Sequence, residues 1–161
     1  MACTIAGLYA ITDARWPRPV PLDEAVAAAL RGGARVIQYR DKSDDLDRRH
    51  REAPALAAQC RAAGACFIVN DDVDLARAVD ADGVHTGRDD GDVRVIRAAL
   101  GPDRVLGVSC YGDLDRARAA VDAGADYLAF GSLYPSPTKP QAAVVPLSVF
   151  AAARAFTNRP L

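Results

Sequence analysis

Six times along the chain a short apolar run is followed by an Ala-rich segment of helical character, and this alternation limits the fold more than any other feature. GLYAITD leads into PLDEAVAAALRGGA, VIQYRD into LDRRHREAPALAAQCRAAGA, and CFIVND into VDLARAVDA. GVHTG precedes DDGDVRVIRAAL, VLGVSC precedes DLDRARAAVDAGA, and YLAFGS runs through YPSPTKPQAAVV into PLSVFAAARAF. A strand that returns by a helix lies parallel to the strand before it, so the pattern predicts a parallel sheet. Gly33, Gly64 and Gly124 each close an Ala-rich run just before a strand, where a left-handed glycine ends a helix. Asp72 or Asp74, and Asp113, stand where N-caps belong. Pro54 falls inside a helical segment and is expected to kink or split it.

Two architectures satisfy such a pattern, an open doubly wound sheet and a closed (β/α)8 barrel. No GxGxxG follows the first strand and no GxxxxGK[ST] occurs, so the nucleotide fingerprints of open sheets are missing. Polar residues instead gather at the C-terminal end of strand after strand: Asp13, Arg40 with Lys42, Asn70 with Asp71, His85 through Asp90, Ser109, then Ser132 to Lys139. Barrel enzymes build their sites there, from βα loops. The expected fold is therefore α/β, a (β/α)8 TIM barrel. Only about six units fit into 161 residues, whereas a full barrel typically takes about 250. Residues 1–161 are read as a single barrel domain lacking units seven and eight, with Arg159, Pro160 and Leu161 as the start of a seventh strand.

The composition, 50% hydrophobic and 25% charged, is that of an ordinary globular domain, and a net charge of −1 with interspersed signs argues against nucleic-acid or membrane partners. The expected partners are small molecules, with homo-oligomerisation as one way to cover the open strand edges of an incomplete barrel. Cys3, Cys60, Cys66 and Cys110 form no CxxC pair, and no secretory leader is recognisable. The thiols are therefore expected to be reduced and the protein cytoplasmic.

In VIQYRDK, strand alternation puts Val36, Gln38, Arg40 and Lys42 on one face and Ile37, Tyr39 and Asp41 on the other. Arg offers a planar fork and Lys a point charge, a combination suited to phosphate oxygens. Asn70 and Asp71 end the next strand, and Asp90 follows the one after. Carboxylates that converge repel unless a cation joins them, and Mg²⁺ is typically held by one or two carboxylates plus substrate phosphates. Asp72, Asp89 and Asp92 are read as residues of helix starts, Asp71 and Asp90 as cation ligands. His85 is read as structural. Arg48, Arg49, His50 and Arg51 are read as a solvated helix face. In YPSPTKPQA three prolines stiffen a loop carrying Ser136, Thr138 and Lys139, which suits anion binding.

Taken in order, GLYAITD, QYRDK, FIVNDD, DGVHTGRDD, GVSC and AFGSLYPSPTK resemble the thiamine phosphate synthase family over essentially the whole chain. The resemblance implies a Mg²⁺-dependent transferase that joins 4-amino-2-methyl-5-pyrimidinylmethyl diphosphate to thiazole phosphate, giving thiamine phosphate and pyrophosphate. By motif, Gln38, Arg40 and Lys42 would contact the diphosphate with Asn70 beside them, and Asp71 and Asp90 would hold Mg²⁺. Ser109 and Lys139 would also reach the diphosphate, and Ser136 and Thr138 would line the thiazole phosphate side. No residue is assigned as a general acid or base. Two departures stand out: Ser136 replaces the first Thr of the usual Thr-Pro-Thr-Lys, and Arg88-Asp89 replaces a Gln-Glu pair. The family's Gly-rich loops after strands seven and eight would lie beyond Leu161, so this chain alone is expected to be weakly active or inactive. Two rivals remain. The related thiazole tautomerase typically carries a histidine shortly after the GVS-like strand, where Cys110, Tyr111 and Gly112 stand here. A non-catalytic, Mg²⁺-diphosphate-binding partial barrel is the other.

Overall fold

A computed structural model describes residues 3–14, 20–135 and 143–161. Among them six strands and six helices alternate, each strand followed by a helix. The chain divides into two compact units, one running through His85 and including Asp103–Val105, the other holding Thr86–Pro102 and Leu106–Leu161.

In the first unit β1 (Leu8–Ile11), β2 (Ala34–Tyr39), β3 (Cys66–Asn70) and β4 (Gly83–Thr86) pair in that order, every pair parallel. They are linked by α1 (Leu22–Arg31), α2 (Leu46–Ala63) and α3 (Val73–Ala78). Val36, Ile37, Tyr39, Phe67, Ile68 and Val69 are each at most 2% exposed, the near-continuous burial expected of parallel strands covered on both faces. Leu56, Ala57 and Cys60 of α2 are buried with them. The glycine stops behave as expected, with Gly64 left-handed at φ 65° and donating to the Arg61 carbonyl as it closes α2.

The second unit holds α4 (Val93–Leu100), β5 (Val105–Tyr111), α5 (Leu114–Asp122), β6 (Tyr127–Phe130) and α6 (Ser148–Arg154). β5 and β6 are parallel. Leu106, Val108, Leu128, Ala117, Ala120 and Ala153 fill this core. The Leu128 N–H donates to the Pro160 carbonyl at 3.0 Å, so the terminal residues read as a strand start do bond to β6.

One device recurs in both units. Asp82, just before β4, accepts the Phe67 N–H at 2.7 Å, and Asp126, just before β6, accepts the Leu106 N–H at 2.8 Å. Each carboxylate satisfies a backbone donor near the start of a neighbouring strand.

Three expectations change. Pro54 neither splits nor ends α2, which is one helix of 18 residues. Cys3 and Cys66, 63 residues apart, form a disulfide with a Cα–Cα distance of 5.4 Å, within the bridging range. Cys3, Ile5 and Tyr9 pack against the buried Val36, Cys66 and Ile68, a tertiary contact that local cysteine spacing does not encode. Cys60 and Cys110 remain free and buried. Arg48 and Arg49 do not form a solvated face: they pair with Asp41 and Asp72 at 2.7 and 2.6 Å, because α2 lies over the strand ends that carry those acids. Among the described residues no helix is long and apolar enough to cross a membrane.

Candidate functional site

The alternation of VIQYRDK is realised in the structure. Tyr39 and Asp41 turn toward α2, where the Tyr39 hydroxyl donates to Glu52 at 2.9 Å and Arg48 Nε donates to Asp41 at 2.9 Å. Burial raises the Tyr39 phenol well above its ordinary value, and Glu52 adds to the shift. Burial also works to raise Asp41, but the Ser43 N–H and the Arg48 guanidinium outweigh it and hold the carboxyl below its ordinary value.

Gln38 takes the opposite side of β2 and is only 3% exposed. Its Nε2 donates to Asn70 Oδ1 at 2.7 Å, and its Oε1 accepts from the Tyr9 hydroxyl at 3.3 Å. Asn70 Nδ2 in turn donates to Asp71 Oδ2 at 2.5 Å, and Lys42 Nζ forms an ion pair with the same oxygen. The Arg40 backbone is fixed by its N–H, which donates to Thr12 Oγ1 at 2.8 Å. Gln38, Asn70, Asp71 and Lys42 are thus brought into one cluster, as expected from the sequence. Tyr9 belongs to it as well. Its phenol in the apolar run GLYAITD reads as core, and only the register of β1 against β2 brings it to Gln38.

Asp71 has the left-handed φ of 64°. Its N–H donates to the His85 carbonyl at 2.8 Å, and the Asp72 N–H donates to the Asn70 carbonyl at 2.9 Å. A non-glycine residue adopts this conformation at some cost, Asp and Asn more readily than most, and such positions cluster at functional sites. Asp72 has the capping role expected of it, accepting the Leu75 N–H at 2.8 Å. His85 is buried in β4 at 9% exposure.

In the second unit Asp90 accepts the Gly87 N–H at 2.6 Å. Arg116, in the first turn of α5, donates from Nη2 to the Gly87 carbonyl and from Nε to the Ser109 carbonyl, each at 2.8 Å. The Tyr111 hydroxyl accepts the Arg88 N–H at 3.3 Å, and the Arg88 guanidinium stacks 4.9 Å from the Tyr111 ring centre. The positive charge that Arg88 brings is therefore spread over an aromatic face. Sequence reasoning missed Arg116, because an arginine in DLDRARAA looks like any exposed helix residue. Asp92 caps α4 by accepting the Arg94 N–H at 2.7 Å. Ser136, Thr138 and Lys139 lie outside the described residues.

The thiamine monophosphate synthase family model matches residues 8–161. The chain belongs to that family. It is 57% identical to the thiamine-phosphate synthase of Halorhodospira halophila, over 97% of this chain and 73% of that protein. It is 56% identical to the thiamine-phosphate synthase of Chromobacterium violaceum, over 94% of this chain and 73% of that one. A solved thiamine phosphate pyrophosphorylase from Pyrococcus furiosus superposes with a TM-score of 0.83 at 37% identity, covering 95% of this chain and 71% of that one. Membership of the thiamine monophosphate synthase family carries the function with it: thiamine-phosphate synthesis, a transferase activity of thiamine biosynthesis.

Proposed function

We propose that this chain binds 4-amino-2-methyl-5-pyrimidinylmethyl diphosphate through Gln38, Arg40, Lys42 and Asn70 and transfers its pyrimidinylmethyl group to thiazole phosphate. The observation that carries this reading is the hydrogen-bonded cluster at the ends of β2 and β3, in which Gln38, Asn70, Asp71 and Lys42 hold one another in place. In the reaction the methylene C–O bond breaks and pyrophosphate leaves with the bonding electrons. The lone pair of the thiazole nitrogen then forms the new C–N bond. That nitrogen carries no proton, so the step needs no general base. What it needs is stabilisation of the charge growing on the leaving group, which Lys42, held at Asp71, and Arg40 would supply.

Mg²⁺ fits the donor set. Asp71 and Asp90 offer hard oxygen ligands, and among the described residues no cluster of three or more His, Cys, Asp or Glu would favour an all-protein cage. We assign Asp71 and Asp90 each as a Mg²⁺ ligand. When bound, the ion neutralises diphosphate charge and makes pyrophosphate a better leaving group. Ser109 is assigned to the diphosphate, as is Lys139, and Ser136 and Thr138 to the thiazole phosphate. The six βα units of residues 1–161 are proposed as six of the eight units of a single (β/α)8 barrel domain, a reading supported by the likeness of 95% of this chain to the Pyrococcus structure. The proposed setting is the cytoplasm, with two small molecules as partners.

Titration calorimetry with pyrophosphate, with and without Mg²⁺, tests the assignment. Binding should require Mg²⁺ and weaken at least about tenfold in Lys42→Ala, Asp71→Asn and Asp90→Asn, the loss expected when a charge-assisted contact of about 1.5–3 kcal/mol is removed. Unchanged affinity in all three folded variants would overturn it.

A further inference from the structure

The hydrogen-bonded chain that runs from Tyr9 to Asp71 has a direction, and its last member sets it. An ionised carboxylate can only accept. Asp71 must therefore be met by the amide nitrogen of Asn70, as it is at 2.5 Å. That choice turns Asn70 Oδ1 toward Gln38, so Gln38 must present Nε2, which lies 2.7 Å away. Gln38 Oε1 is then left facing β1, where it needs a donor. The Tyr9 hydroxyl supplies one at 3.3 Å. At 3% exposure Gln38 has little access to water that could take its place. The amide of Gln38 is nearly symmetric in shape, so packing alone does not distinguish its two orientations. The wrong orientation sets Oε1 against Asn70 Oδ1, lone pair to lone pair. The link then breaks, or Asn70 turns too and presents its oxygen to Asp71.

We propose that Tyr9 is a positioning residue for the diphosphate site: its O–H fixes the orientation of the Gln38 amide and, through Gln38 and Asn70, the setting of the Asp71 carboxylate. The proposal rests on the reading of that cluster as the diphosphate site. Tyr9 touches neither substrate nor metal in this role. It acts through its neighbour, and that makes its effect separable from packing.

Tyr9→Phe keeps the ring and removes the hydroxyl, and with it the donor to Gln38. In the full chain at saturating Mg²⁺ it should weaken pyrophosphate binding about three- to tenfold, the range of one net hydrogen bond, while the thermal midpoint stays within a few degrees. In a Gln38→Ala background the same substitution should change affinity less than twofold, because the residue it acts through is gone. Gln38→Glu retains an acceptor for Tyr9 but cannot donate to Asn70, and should bind no better than Gln38→Ala. Wild-type affinity in Tyr9→Phe, an undiminished Tyr9→Phe effect without Gln38, or recovery in Gln38→Glu would each overturn the proposal. The side-chain amide resonances of Gln38 in the ligand-free chain separate this failure from that of the site reading. If they shift in Tyr9→Phe but wild type does not bind Mg²⁺-pyrophosphate, the site reading is wrong and the functional role falls with it. If they do not shift, Tyr9 does not orient the amide, whatever the site binds.

Discussion

Gly107 is a position at which a single methyl group should damage the framework that carries Ser109. It is paired in register with Tyr127 across β5 and β6, and the tyrosine ring lies over it. A Cβ at residue 107 would stand 1.9 Å from Tyr127 Cζ, 2.2 Å from Cε1 and 2.3 Å from the hydroxyl oxygen. Carbon atoms in contact sit about 3.5–4.0 Å apart, so the ring must retreat by well over an ångström. Tyr127 is 5% exposed and has packed neighbours behind it. Overpacking of this kind costs about 1–3 kcal/mol when the ring can adjust, and expulsion of a buried ring about 3–5 kcal/mol. Taking about 3 kcal/mol, and about 2–4 °C per kcal/mol for a domain of this size, Gly107→Ala should lower the thermal midpoint by about 6–12 °C. Circular dichroism melting at fixed pH and scan rate reads this directly. Gly112→Ala is the comparison, since its Cβ meets only the Val145 side chain, at 3.2 Å. Tyr127→Ala should make room, so that the double variant is less destabilised than the two single losses added together. A Gly107→Ala midpoint within about 2 °C of wild type, or strict additivity in the double variant, would refute the close-approach argument.

Other consequences follow from the ionisable and thiol groups. The Asp41 carboxyl is held below its ordinary value in the folded chain, so its contribution to stability is complete above the unfolded pKa of about 3.9 and fades as pH falls through the lower folded value. Denaturant melts of Asp41→Asn should therefore show a smaller loss of stability than wild type on acidification below about pH 4, and a smaller advantage for wild type there than at pH 7. Burial pushes the thiols of both Cys60 and Cys110 up to about 12, so neither should react with a thiol reagent at pH 8 in the folded chain. Unfolding without reductant should expose two thiols, Cys60 and Cys110, while reduction before unfolding should expose Cys3 and Cys66 as well. A count of four without reductant would contradict the Cys3–Cys66 bridge.

Much of the fold was legible because it is written in local period. The strand runs, the Ala-rich helices and the glycines at their ends each depend on neighbours a few residues away, and so does the capping by Asp72, Asp92 and Asp113. The split of VIQYRDK into a side facing α2 and a side bearing Gln38 could also be read, since strand alternation alone dictates it. Features that depend on contacts between distant segments could not. Tyr9 reaches Gln38 only through strand register, Cys3 meets Cys66 only through packing at the start of β3, and Arg116 finds the Gly87 and Ser109 carbonyls only once α5 folds back along its strand. Arg48 and Arg49 were misread for the same reason: their acidic partners, Asp41 and Asp72, sit on other elements.

The most direct test of the central claim is a single-turnover experiment with the chain in excess over 4-amino-2-methyl-5-pyrimidinylmethyl diphosphate, with thiazole phosphate and Mg²⁺ present, quenched and analysed by mass. The account predicts thiamine phosphate and pyrophosphate in equal amounts, however slowly this chain forms them, dependent on Mg²⁺ and lost in Asp71→Asn. A folded sample that binds Mg²⁺-pyrophosphate but only isomerises the thiazole, or releases pyrophosphate without forming the C–N bond, would contradict it.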